Sequence, residues 1–181
     1  MPVTTNLDLM QVLAERIGGR VAETLRQSDS SRVVIQIFPK ESGWYVERGV
    51  LRGFTAGGLQ PVASGNAAYV AEFGISKLHV RYENVRREGI FGPKLIDRKV
   101  YVGMSVKVTD QHSGAVLISN TMEDEIGDSI QMSDVASVES AHLPVTMGAL
   151  PREGFFSNVA EPLIALGSIA LAVFLLFHVR S

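Results

Sequence analysis

Apolar residues recur at helical spacing near the start of the chain, where Leu9, Leu13, Ile17, Val21 and Leu25 fall on one slowly drifting face. This period predicts an amphipathic helix from Leu7 to Leu25, with Thr5 and Asp8 at capping-box spacing and Gly18-Gly19 weakening its middle. After a polar stretch, Val33-Val34-Ile35-Gln36-Ile37-Phe38 is short, β-branched and stopped by Pro39, as a central strand should be. Ser42 stands where it would cap a second helix from Gly43 to Ala56, with Val46, Val50 and Phe54 inward and Gly57-Gly58 ending it. A short strand is expected near Gln60 to Ala63.

Beyond the Ser64-Gly65-Asn66 turn the period changes from helical to alternating. Leu78, Val80 and Tyr82 alternate with polar neighbours, and Val100, Val102, Met104, Val106 and Val108 do the same. Asp110 to Gly114 makes a tight connection into Ala115 to Asn120, with Gly114 suited to a positive φ. Thr121 to Gly154 is polar and punctuated by Pro144, Gly148 and Pro151, which predicts an irregular linker. The elements add up to a two-layer α/β sandwich with a mixed, largely antiparallel sheet.

From Leu163 to Val179 no residue is formally charged, and the run is apolar on every side of a helix. At 1.5 Å per residue this is about 25 Å, short but admissible for a hydrocarbon core of ~30 Å. One C-terminal transmembrane helix is therefore expected, giving residues 1–122 as the sandwich domain, 123–156 as a polar linker and 157–181 as the anchor. Ala165, Ser168 and Ala172 share one side of that helix and form the candidate packing face for a second helix.

Composition narrows the chemistry. The net charge of −2 removes the global basic excess that nucleic acid attracts, so no nucleic-acid partner is expected. Without cysteine there is no thiolate nucleophile, thiolate-bound zinc or iron–sulfur centre. His79, His112, His142 and His178 lack metal-ligand spacing, and no glycine-rich stretch follows a strand and opens a helix as a phosphate loop must. Gly127-Asp128-Ser129-Ile130 has the look of a nucleophile block, yet it is far from the first strand and has no Asp-x-x-His after it. No catalytic residue, cofactor, metal or small-molecule substrate is inferred. Trp44 with Tyr45 is read as core.

The order of an amphipathic helix, a Val-Val-Ile strand, a second helix ending in Gly and a meander with Val-x-Val-Thr-Asp-x-x-Ser-Gly-Ala-Val-Leu (Val106 to Leu117) resembles the α/β domain of CsgG-type curli-secretion lipoproteins and the amino-terminal domain of TolB. The resemblance covers Leu7 to Asn120, and it implies a non-enzymatic assembly or interaction role in the cell envelope. This chain departs from it in having no lipoprotein cysteine and in its apolar C-terminal helix.

The segment Lys77 to Lys107 is locally basic, while Thr121 to Ser140 holds six carboxylates and no Lys or Arg. The candidate interaction surface is Arg86, Arg87, Phe91, Lys94, Arg98 and Lys99, at the tip between two strands. The expected function is a membrane-tethered, non-catalytic interaction or scaffold module. The alternatives are a subunit or accessory factor of a larger envelope or secretion complex, and, third, an enzyme. Its expected partners are the lipid bilayer, through the C-terminal helix, and another membrane protein or an envelope complex. With no basic, apolar leader at the first residues, the domain is expected on the cytoplasmic side, with an envelope-facing domain as the alternative.

Overall fold

The structure, a computed structural model, describes residues 3–26, 32–89, 92–151 and 155–178, the side chains of the last segment being described at 164 and 166–177. The first helix, α1 (Asn6–Leu25), starts as its sequence predicts, the Thr5 hydroxyl accepting from the Asp8 amide at 3.1 Å. Strand β1 (Arg32–Phe38) follows. Helix α2 (Lys40–Ala56) begins earlier than a Ser42 cap would allow. Pro39 holds the N-cap in an extended conformation and its carbonyl accepts from the Gly43 amide at 2.9 Å, so one residue both stops the strand and opens the helix.

The remaining strands are β2 (Gln60–Val62), β3 (Tyr69–Arg87), β4 (Lys94–Asp110) and β5 (Val116–Gln131). They form one sheet in the order β2-β1-β3-β4-β5, with β1 parallel to β2 and β3 and the other pairs antiparallel. This is the mixed sheet of the expected α/β domain, with α1 and α2 packed on one face. Between the layers lie Leu13, Ile17, Val50, Phe54, Phe73 and Met104, all fully buried. Phe54 meets Phe73 edge to face, ring centroids 5.9 Å apart.

Glycine sets the spacing within the helical layer. A methyl group at Gly49 would come 2.1 Å from the Gln11 carbonyl oxygen, and one at Gly53 would come 2.3 Å from that of Glu15. The two backbones therefore touch, which any larger residue at these positions would prevent.

Two sequence expectations change. The stretch from Thr121, expected as irregular linker, continues β5 to Gln131 and then forms a 3-10 turn (Met132–Asp134), the short helix α3 (Val135–Val138) and a second turn (Pro144–Thr146). Ile130, Val135, Val138 and Thr146 are buried, so the core extends well past residue 122. The polar surface of β5 concealed it: an edge strand is half solvated and can carry carboxylates without losing its pairing.

The expected transmembrane helix is not borne out. The last helix, α4, is Phe155–His178, and among the described residues no helix is long and apolar enough to cross a membrane.

Candidate interaction surfaces

The long β3–β4 hairpin carries most of the residues predicted for contact, and strand parity divides them. Pairing sets Tyr82 opposite Arg98 and Arg98 opposite Asp128, so these three form one row on the helix-facing side of the sheet. Arg98 has no exposed side-chain surface. Its guanidinium binds Asp128 in a fork, Nε to Oδ1 at 2.8 Å and Nη2 to Oδ2 at 2.5 Å, and Nη1 donates to the Thr4 carbonyl and to Asn6 Oδ1. The Asn6 amide in turn donates to the Tyr82 hydroxyl at 2.9 Å and the Thr146 carbonyl at 2.7 Å. Burial pushes the Tyr82 phenol up to about 12. Arg98 is therefore a corrected assignment: it ties the start of α1 to the sheet rather than meeting a partner. The signal was in the sequence, because Arg98 shares the parity of Ile96 and Val100.

The next row faces away from the helices. Asp97 accepts from the Ser129 hydroxyl at 2.6 Å and from Arg86 at 2.5 Å, and these bonds hold its carboxyl down to about 2. Arg86 also donates to Ser129 Oγ at 2.9 Å. Lys99 is paired with Glu83 at 2.5 Å, which raises the lysine and lowers the glutamate. Of the predicted surface, Arg86 and Lys99 are thus occupied by neighbouring carboxylates. Arg87 is exposed and Lys94 half-buried, and Phe91 lies outside the described residues.

The same geometry bears on the nucleophile-like block at Gly127 to Ile130. Asp128 and Ser129 point to opposite faces of β5. The carboxylate that accepts from the Ser129 hydroxyl is Asp97, and a carboxyl held near 2 is a poor base at neutral pH. Among the described residues no group of three or more His, Cys, Asp or Glu is placed to hold a metal ion.

The exposed side of the helical layer was not singled out in the sequence. Trp44, read there as core, is 46% exposed, with its ring centroid 4.3 Å from that of Tyr45. Beside it the groove between α1 and α2 opens into two adjoining depressions of about 770 and 550 Å³, which share Glu15 and Ala56. On α4, Ser168 and Ala172 are exposed, and the Ser168 hydroxyl is satisfied by the Ile164 carbonyl at 2.7 Å. The side chain of Ala165 lies outside the described residues.

No protein-family model matches this chain, and no curated protein matches it. Solved structures that are similar include a minor lipoprotein from Acinetobacter baumannii, 15% identical, covering 60% of this chain and 71% of that one, TM-score 0.34. Lipoprotein GNA1162 from Neisseria meningitidis is 10% identical over 54% of this chain and 84% of its own, TM-score 0.36. PelC from Paraburkholderia phytofirmans, crystallised as a dodecamer, is 19% identical over 53% and 69%, TM-score 0.31. None of the three carries a CsgG-type or TolB description, so that finer resemblance is not shown.

Proposed function

We propose that this protein is a membrane-tethered, non-catalytic interaction module, with the α/β domain as its contact unit and α4 as its tail anchor. The observation that carries the reading is the exposure of α4. Every described side chain from Ile164 to Phe177 is exposed, with Ile164, Leu166, Leu176 and Phe177 each more than 60% so. The run is apolar around the whole helix, and one protein face covers only one stripe of such a surface. A lipid phase surrounds it completely.

The membrane part is tested by flotation. The full chain, mixed with phosphatidylcholine–phosphatidylglycerol vesicles, is expected to float with them and to remain bound in alkaline carbonate, whereas a chain lacking 155–181 stays at the bottom. Carbonate release of the full chain would remove α4 as an anchor. Protease access in sealed spheroplasts then assigns the side of the membrane on which the domain lies.

A further inference from the structure

We infer that the partner of the α1–α2 face is a second copy of this chain. The inference rests on the reading of the domain as a contact unit and names its partner. It does not require α4 to enter lipid.

The groove between the two helices is open and partly apolar. Its floor holds Gly19 and Gly53, and Trp44, Leu51 and Val12 stand along it, Val12 being 37% exposed. Gly53 is needed inside the molecule, as the contact with Glu15 shows, but Gly19 is not: a methyl group there would meet only the Gly53 carbonyl, at 4.0 Å. A glycine inside a helix costs about 1 kcal/mol relative to alanine. Gly19 bears that cost with no close contact inside the chain, and what it does is keep the groove deep.

The charges around the groove point to the occupant. Arg16, Arg26, Arg48 and Arg52 stand among Glu15, Glu23 and Glu47, and among the described residues none of the seven forms an ion pair. A partner of one charge sign would leave either the four arginines or the three glutamates opposed by like charge. A second copy carries both signs on the same face, and a two-fold axis that sets arginines against glutamates does so reciprocally. The face also carries both members of an apolar fit, since each copy supplies a projecting Trp44 and a glycine-floored depression.

Trp44 is the protein's single tryptophan, so its fluorescence reports on the surroundings of this one side chain. The full chain in mild detergent is followed by sedimentation, for the protein mass, and by acrylamide quenching of Trp44. As concentration rises, the mass should increase roughly twofold and quenching should fall in parallel. Gly19→Leu fills the groove at a position with open space, and should leave a folded monomer with Trp44 quenchable at every concentration. Arg48→Glu with Arg52→Glu makes the rim acidic on both copies and should give the same result independently. A monomer at all concentrations overturns the inference. So does a dimer that survives both changes with Trp44 still exposed, which would place association elsewhere, as on α4. Failure of flotation bears on the anchor and leaves this result untouched.

Discussion

At the scale of single residues, Arg98 is the costliest choice in the domain. A guanidinium without solvent contact is tolerated because Asp128, Asn6 and the Thr4 carbonyl take its donors. Removing the carboxylate leaves the cation buried, so Asp128→Ala is expected to cost about 3 kcal/mol in urea unfolding. Arg98→Met removes the charge itself and leaves Asp128, which is 42% exposed, to water. It should cost less, about 1–2 kcal/mol. The reverse order would show that the network is not what stabilises this end of α1. Asp97 governs acid behaviour. Its carboxyl is held near 2, below the ordinary 3.8, so the native state binds fewer protons there than the unfolded chain. Its contribution is therefore intact above about pH 4 and lost as pH falls toward 2. In Ser129→Ala the largest cause of that depression is gone, and the urea midpoint should fall less steeply over the same interval.

At the scale of elements, glycine has opposite meanings at two neighbouring places. A side chain at Gly53 strikes the α1 backbone, so Gly53→Ala should lower stability by about 1–3 kcal/mol despite better helix propensity. Gly19→Ala meets nothing closer than 4.0 Å and should raise stability by about 0.5–1 kcal/mol. Thermal unfolding of the pair reads the difference, and equal effects would mean that the helices do not touch as described. The β5 edge shows a different local device. The Thr121 and Glu125 amides donate to Asn120 and Asp124 side chains, and Arg20 donates to the Glu123 carbonyl at 3.3 Å. These bonds occupy backbone groups that an incoming strand would need, and the surrounding carboxylates repel a like strand.

At the scale of the whole molecule, the fold ends later than residue 122 and earlier than α4. Ile130, Val135, Val138 and Thr146 close the core, whereas the described side chains of α4 are all exposed. A chain ending at 154 should keep its cooperative thermal transition with an unchanged midpoint. A chain ending at 122 should lose the transition, because it deletes the second half of β5 and the Asp128 partner of Arg98. If the chain ending at 154 loses its transition as well, α4 belongs to the core and the anchor reading fails with it.

The sequence by itself determined the α/β class and the types of the elements before Thr121. Leu9 to Leu25 and Val100 to Val108 each repeat at one period over many residues, and a long period fixes which face is buried before any partner is known. Thr5 acts through a neighbour three residues away, so its cap was legible too. What the tertiary structure decided depends on residues far apart in the chain. Arg98 is interior only because Asp128, 30 positions on, and Asn6, 92 positions back, meet it there. Trp44 is outside because α1 covers only one side of α2, and β5 outruns its expected end because β4 offers backbone partners as far as Gln131. The groove between the helices belongs to the same class. It exists where two backbones approach closely, and no local pattern in either helix states how near the other will come.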